Sequence, residues 1–247
     1  MNRSLQALLA WLLLSVGSGL AMTAQAASSE VDPWEGFNRK MYSFNDFMDR
    51  NLLLPVTRGY VSVMPDLVQS GIHNFFGNLD DVVSLAGNLL QLKMHNSAQD
   101  FSRIVANTFF GIGGLIDVAT PLGVPKQYEE FGQVLGYWGV PAGPYLVLPF
   151  WGPSNVRDGL SVYPNAMLHP TSLADDNRNY WAMFGVWTID RRAALIDAEG
   201  LISGDRYSFI RDAYMQRREF LVNDGMIMDD FGDDGFGDDG FGDDDDF

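Results

Sequence analysis

The 247-residue sequence contains no cysteine. This absence excludes disulfide bonds, thiol nucleophiles and cysteine-ligated metals, and it also excludes attachment of a lipid to an N-terminal cysteine. Positive charge is scarce as well, because 16 lysines and arginines stand against 32 aspartates and glutamates and give a net charge of -16. A chain of this charge repels a phosphate backbone, so nucleic acid is excluded as a partner.

Groups that commonly carry out chemistry are also few. The three histidines, His73, His95 and His169, lack the spacing of metal ligands. The run Gly111–Gly114 lacks the lysine and the Ser/Thr of a phosphate-binding loop, and the end of a helix followed by a turn is the favoured interpretation. No G-x-S-x-G nucleophile elbow occurs in residues 27–247. We therefore predict no catalytic residues, no metal site and no cofactor.

The first 26 residues have the three parts of a secretory signal peptide. Residues 1–3 carry a positive charge, residues 5–14 are apolar, and Ala24-Gln25-Ala26 fits an A-x-A cleavage site. We predict cleavage between Ala26 and Ala27 and hence an exported protein. An uncleaved membrane anchor is the alternative, but the apolar run is shorter than the ~20 residues that a spanning helix needs.

The last stretch, residues 225–247, repeats Phe-Gly-Asp-Asp and holds ten acidic residues between Asp229 and Asp246 without a basic one. Such composition predicts a disordered, solvated tail. Association with divalent cations and docking of a basic partner are the alternatives.

Residues 27–224 show the three- and four-residue apolar spacing of helices, and we predict an all-α domain. On the first helix, Phe37, Met41, Phe44 and Met48 share one face, for which packing in the core is the favoured interpretation. The first predicted helical unit has Asp32 as N-cap and Pro33 at N1, and Pro55 ends it. The second is a region 66–92 that Gly77-Asn78 splits into two helices. Four more helices are predicted: from 96 or 97 to 111, from an N-cap at Ser154 to Met167, from 177 to 198 and from 205 to 222.

The last predicted helix carries most of its arginines off the apolar face; they are Arg206, Arg211, Arg217 and Arg218. Either these side chains meet lipid headgroups or a partner, or they form a solvated face with local pairs to Asp212 and Glu219. The sequence favours neither alternative.

Residues 131–156 form a run without a charged side chain, and this run is long enough to cross a bilayer. Pro141, Pro144, Pro149 and Pro153 forbid one straight helix, and Tyr145–Leu148 is predicted to be extended. Irregular backbone survives at membrane depth only against protein or beside a wet cavity. The segment therefore forms either the core of a soluble domain or the wall of a passage within membrane-embedded helices. Export and a cluster of aromatic side chains favour the membrane.

Six stretches of the sequence, taken in order, carry a resemblance. They are residues 32–39 (DPWEGFNR), 111–119 (GIGGLIDVA), 131–132 with 135–140 (FG with LGYWGV), 143–150 (GPYLVLPF), 192–197 (RAALID) and 211–217 (RDAYMQR). Together they resemble the MlaA (VacJ) family. The resemblance covers about residues 31–224.

This resemblance implies a ring-like helical domain embedded in the periplasmic leaflet of the outer membrane. It implies a protein that removes mislocalised phospholipids from the outer leaflet through an amphipathic channel, passes them to an MlaC-like periplasmic lipid carrier and sits beside a trimeric porin. Residues 143–150 would then form part of the channel wall or a gating hairpin. The candidate lipid-channel residues are Tyr137, Trp138, Gly143, Pro144, Tyr145, Leu146, Val147, Leu148, Pro149 and Phe150.

One departure from the family concerns membrane attachment. The family typically carries a lipidated cysteine after its signal, whereas Ala26-Ala27 stands at that place here. Without that lipid, retention would depend on embedded helices and on the porin. A single acyl chain binds a membrane only marginally, so embedded protein surface could suffice in its place.

Two other functions remain open at the level of the sequence. One is an envelope scaffold that organises porins without passing lipid. The other is a lipid hydrolase, which needs a nucleophile and a base, and no recognisable pair of these is present.

Overall fold

The computed structural model describes residues 31–174, 176–197, 199 and 204–225. The predicted signal peptide with its cleavage position at Ala26 and Ala27 lies outside the described residues, as do residues 226–247 of the acidic tail.

The described chain is mostly helical, as predicted. Its elements are α1 (Glu35–Met48), a π-helical turn (Asp49–Leu53), α2 (Leu54–Val63), α3 (Asp66–Leu90), α4 (Met94–Phe109), α5 (Phe131–Tyr137), β1 (Tyr145–Leu148), β2 (Gly152–Asn155), α6 (Val156–Leu168), a 3-10 turn (Pro170–Leu173), α7 (Asn177–Ala193) and α8 (Arg206–Val222). Within the described ranges, no helix has both the length and the apolar content needed to cross a bilayer.

The longest helix, α3, pairs with α4 as an antiparallel helical hairpin joined by polar side chains. Asn88 Nδ2 donates to Asp100 Oδ2 at 2.8 Å, and Arg103 Nε donates to Asp81 Oδ2 at 3.1 Å. All four of these side chains are buried. The interface between the two helices is thus held by hydrogen bonds and ion pairs between buried groups, which are electrostatically stronger there than in water.

One buried carboxyl in this interface makes stability depend on pH. Burial raises the pKa of Asp100 from 3.8 to about 6, despite the hydrogen bond from Asn88. The folded protein therefore holds this proton more tightly than the unfolded chain, and its stability falls as pH rises from about 4 to about 6.

We expect Asp100→Asn to remove that loss. At pH 7 the variant should unfold with a free energy up to about 3 kcal/mol above wild type, since each pKa unit is worth about 1.4 kcal/mol. At pH 4 the difference should be much smaller. Denaturant unfolding in detergent at both pH values measures it, with the exposed Asp212→Asn as control. A variant that is less stable than wild type at pH 7 would contradict the prediction.

The strands β1 and β2 form an antiparallel hairpin in which Tyr145 pairs with Asn155. The predicted extended run at 145–148 is therefore confirmed, whereas its partner strand was not predicted. Two asparagines of α1 complete the free edge of β1. Asn38 donates to Tyr145 O at 3.0 Å and accepts from the Val147 N–H at 2.9 Å.

Two helical turns later, Asn45 repeats this arrangement. It donates to Leu148 O at 2.9 Å and accepts from the Phe150 N–H at 2.8 Å. An amide side chain carries both a donor and an acceptor, so each asparagine substitutes for a residue of a third strand. Helix α1 thereby fixes the hairpin at both ends.

The polarity of the packed interior is inverted relative to an ordinary water-soluble domain. Among the residues that the structure describes, 21 polar or charged side chains are buried but only eight apolar ones. Large apolar side chains face outwards instead. Those that are 75–85% exposed are Val63, Leu67, Phe109, Phe110, Leu122 and Leu173. Exposed apolar surface of this extent marks an interaction with lipid or with another protein.

The predicted apolar stripe of α1 divides between two environments. Phe37 and Phe44 are 49% and 37% exposed, whereas Met41 packs against the buried cluster that contains Tyr145, and Met48 is half-buried. The expectation that the α1 stripe packs in the core is therefore wrong for the two phenylalanines. A regular apolar stripe shows that one face of a helix avoids water, but it does not distinguish a protein interior from lipid.

Several predicted helix limits are also wrong. Helix α1 begins at Glu35, and Asp32 does not cap it; instead, buried Asp32 accepts hydrogen bonds from Asn38 and from the Tyr207 hydroxyl. Pro55 does not end the first unit, because it lies in the first turn of α2, where its missing N–H is not needed.

Three other limits differ in the same way. Helix α3 runs through Gly77-Asn78 without a break, and α6 is capped by Asn155 rather than Ser154, with Asn155 Oδ1 accepting from the Asp158 N–H at 2.8 Å. Helix α7 ends at Ala193 rather than at 198. The turn predicted at Gly111–Gly114 is confirmed, and φ of Gly114 is +92°, a conformation that favours glycine.

Candidate functional site

A cavity of about 410 Å³ opens between α3, α6, α7, α8 and the segment that precedes α5. Its walls combine charged and apolar side chains. The polar and charged residues are Asp80, Ser84, Glu129, Glu130, Asn165, His169, Thr171, Arg191 and Arg217, and the apolar and aromatic ones are Val83, Tyr128, Trp151, Val162, Ala166, Tyr180, Phe184, Trp187 and Leu221. Such a cavity suits an amphiphile.

The aromatic wall comes from α7. Tyr180, Phe184 and Trp187 recur at four and three residues and therefore lie along one face of the helix. Their rings stack in sequence, with centroids 6.5 Å apart for the first pair and 5.7 Å apart for the second. The Arg191 guanidinium lies 5.2 Å from the centre of the Trp187 ring, within cation–π range.

The opposite wall carries charge on α3. Asp80 accepts a hydrogen bond from Arg191 Nη2 at 2.6 Å, and its other oxygen lies 3.4 Å from His169 Nε2. The Asp80 carboxylate thus joins α3 to the 3-10 turn and to the aromatic face of α7. Charged side chains therefore lie directly beside the aromatic rings, which makes the cavity amphipathic.

A buried ion cluster positions the elements behind the cavity. The Asp158 carboxylate lies 2.7 Å from Arg218 Nε and 3.1 Å from Arg157 Nε, and it accepts from the Tyr214 hydroxyl at 2.8 Å and from Asn155 Nδ2 at 2.7 Å. These contacts join α6 to α8 and to the end of β2.

Burial opposes ionisation of Asp158, but Arg218, the Tyr214 hydroxyl and Arg157 outweigh it and hold the pKa of the carboxyl below its usual value. On α5, Gly132 lies so close to this carboxylate that a Cβ atom would clash with it. The glycine at this position is required by that close approach.

A second cavity, of about 700 Å³, adjoins the first. Tyr128, Glu129 and Leu221 line both cavities. The second cavity also carries Lys93 and Lys126 in its wall. The two cavities therefore share part of one wall.

None of the ten residues predicted from the sequence lines either of these two cavities. Tyr145 and Val147 are only 1% exposed and pack against Tyr207, Met41 and neighbouring side chains. Their side chains therefore face the protein and not an open passage.

The other eight residues lie further out. Leu146, Leu148 and Pro144 are half-buried, and Gly143 and Pro149 are exposed at the hairpin ends. Tyr137, Trp138 and Phe150 are 45%, 59% and 69% exposed, and the first two rings meet edge to face with centroids 5.5 Å apart. The Phe150 ring instead meets Phe44 of α1, with centroids 5.3 Å apart.

Sequence reasoning missed most of the cavity. Its lining comes from seven separate segments, which no local pattern connects. One signal was available, namely the spacing of Tyr180, Phe184, Trp187 and Arg191 on α7. Of the arginines left undecided, Arg211 forms the expected local pair with Asp212 at 2.8 Å, Arg218 is buried, and Arg217 lines the cavity.

Comparisons with known proteins agree with this architecture. A model of the MlaA lipoprotein family matches residues 30–221. The intermembrane phospholipid transport system lipoproteins MlaA of Shigella flexneri and Escherichia coli (strain K12) are 37% and 36% identical to this chain over 235 residues, which is 91% of this chain and 91% of each relative.

The fold is similar to a known one as well. A chain solved in a study of the structural basis for maintenance of bacterial outer membrane lipid asymmetry has a TM-score of 0.69 and 34% sequence identity, and the match covers 78% of this chain and 99% of that chain. The described helices, the inverted interior and the sequence identity lead to one assignment. The chain belongs to the MlaA family.

Proposed function

We propose that the protein transports phospholipids at the outer membrane. In this proposal it removes mislocalised phospholipids from the outer leaflet and passes them to a periplasmic carrier, which maintains lipid asymmetry. The observation that carries the proposal is the combination of an apolar exterior, a polar interior and an amphipathic cavity. The names of the related transport lipoproteins support the same function.

The chemistry of a phospholipid explains why such a cavity is needed. A headgroup cannot pass through hydrocarbon without losing its hydrogen bonds, at a cost of several kcal/mol for each unpaired polar group. Charged side chains beside the cavity replace the water, while the rings of α7 contact the acyl chains. No covalent step is needed, so we propose a transporter and not an enzyme.

The exposed apolar side chains support partial embedding in one leaflet. Helices lying at a membrane surface bury only their apolar face, and they do not need the length of a spanning helix. We propose a ring-like placement in the periplasmic leaflet, beside a trimeric porin, with the hairpin at 143–150 near the entrance to the passage. An MlaC-like carrier would receive the lipid on the aqueous side.

Filling the cavity tests the transport route. Ala166 lines the cavity on α6, and Ala166→Trp adds an indole ring to a volume of about 410 Å³. We expect transfer of labelled phospholipid from vesicles to the carrier to slow at least about tenfold, because the ring occupies the space that the lipid needs. The matched control is Ala213→Trp at an exposed position of α8. Equal transfer by both variants would refute the route.

The hairpin requires a separate measurement. Leu146→Glu and Leu148→Glu place a charge on half-buried strand positions without filling the cavity. We expect both to reduce lipid transfer. If transfer is unchanged, the hairpin does not belong to the passage, even if the Ala166→Trp result holds.

A further inference from the structure

The acidic side chains that line the first cavity all have ion-pair partners, whereas one of the basic side chains has none among the described residues. Each acidic side chain in the lining has a cation of the protein as its partner. The pairs are Asp80 with Arg191 at 2.6 Å, Glu129 with Lys93 at 3.2 Å and Glu130 with Arg218 at 3.2 Å. Consequently no acidic group of the lining is left to bind a cation from a ligand.

Arg217 is different. Its side chain lines the cavity from α8 and is exposed, and it forms no ion pair with any residue that the structure describes. Its neighbour Arg218 is buried against Asp158 and Glu130, and so the two adjacent arginines have separate tasks.

A guanidinium offers five N–H donors and no acceptor, and it matches the oxygens of a phosphate group. Beside it, the rings of Tyr180, Phe184 and Trp187 offer apolar surface within the same cavity. A cation that has no ion-pair partner among the described residues, next to an aromatic wall, is complementary to an anionic group attached to acyl chains.

We propose that Arg217 binds the phosphodiester of the transported lipid while the α7 rings hold its acyl chains. This inference rests on the proposed transport function and deepens it. It also makes a statement about selectivity. Because the carboxylates of the lining are all paired, an amine on the headgroup finds no free partner, and the site recognises the phosphate shared by glycerophospholipids.

Matched short-chain lipids test this recognition in the full-length protein in detergent. The probes are dihexanoyl phosphatidylglycerol, dihexanoyl phosphatidylethanolamine and dihexanoylglycerol, which share their chains and differ in the headgroup. Calorimetric titration should give dissociation constants within about threefold of each other for the two phospholipids, and binding of dihexanoylglycerol should be at least about tenfold weaker.

Arg217→Gln should weaken binding of both phospholipids about tenfold and leave dihexanoylglycerol unchanged, because only the phosphate contact is removed. Arg217→Lys should fall between the two, since an ammonium keeps the charge but not the planar fork. The control is Arg178→Gln on α7, whose side chain is 86% exposed and lies outside the cavity lining. Inorganic phosphate at equal concentration should not displace the lipids.

Three results would overturn the inference: unchanged phospholipid binding by Arg217→Gln, equal binding of dihexanoylglycerol and phosphatidylglycerol, or complete displacement by inorganic phosphate. If wild type transfers lipid and Arg217→Gln binds and transfers equally well, this inference alone fails. If wild type binds none of the three lipids and transfers none, the proposed function fails with it.

Discussion

Asp158→Asn is expected to lower the free energy of unfolding by about 3–5 kcal/mol. The substitution removes the negative charge that faces two buried guanidinium groups, those of Arg157 and Arg218. Removing one member of a buried ion cluster leaves the others as uncompensated charges, and this loss exceeds the net value of the pair itself. Denaturant unfolding in detergent measures the change.

A double variant separates this cause from a loss of packing. Asp158→Asn with Arg218→Met replaces one stranded cation with an apolar side chain of similar length, so part of the lost stability should return. Asp212→Asn, at an exposed position on α8, should stay within about 0.5 kcal/mol of wild type. A loss below about 1 kcal/mol for the single variant would show that the cluster is not structurally important.

The second prediction with a large effect is that exposed apolar side chains control binding to membranes. Leu67 at the start of α3 and Phe109 and Phe110 at the end of α4 are 85%, 77% and 77% exposed. Replacing all three with glutamate should weaken binding to phospholipid vesicles at least about 100-fold. Burial of each such side chain is worth about 1.5–3 kcal/mol, and half of that over three residues already amounts to about 3 kcal/mol.

The control adds the same charge without removing apolar surface. Asn177→Asp, Asn179→Asp and Gln216→Glu together introduce three negative charges at exposed polar positions. This variant should bind vesicles nearly as well as wild type, and flotation with vesicles of neutral headgroup compares the two. Equal loss in both variants would mean that general charge repulsion, not the apolar surface, controls association.

The helices themselves were predictable from the sequence, because amphipathic spacing is a local property. The start of α8 after Asp205 is an example, where the side chain accepts from the Tyr207 N–H at 3.2 Å. The split predicted in α3 failed because tertiary contacts override local signals. Asn78 does not start a new helix, since its buried amide donates to Thr108 Oγ1 at 3.1 Å.

The direction in which each apolar face points was not predictable. The stripe on α1 has the same period whether it meets protein or lipid, and the charge-free run at 131–156 likewise fitted two environments. The prolines that flank residues 145–148 predicted the extended run correctly, but they did not predict its partner strand. The sequence did not reveal that Asn38 and Asn45 bind the free edge of β1, because that relation joins residues more than 100 positions apart.

The inverted polarity of this molecule also has a consequence for its biogenesis. In water, the hydrophobic effect would not drive the chain to this conformation, because the native interior holds the polar groups and the native exterior the apolar ones. A newly made chain in an aqueous compartment is therefore expected to aggregate through side chains such as Phe110 unless a holdase chaperone shields them. With the proposed placement in one leaflet, lipid would cover these side chains, and the final structure is expected to form together with insertion.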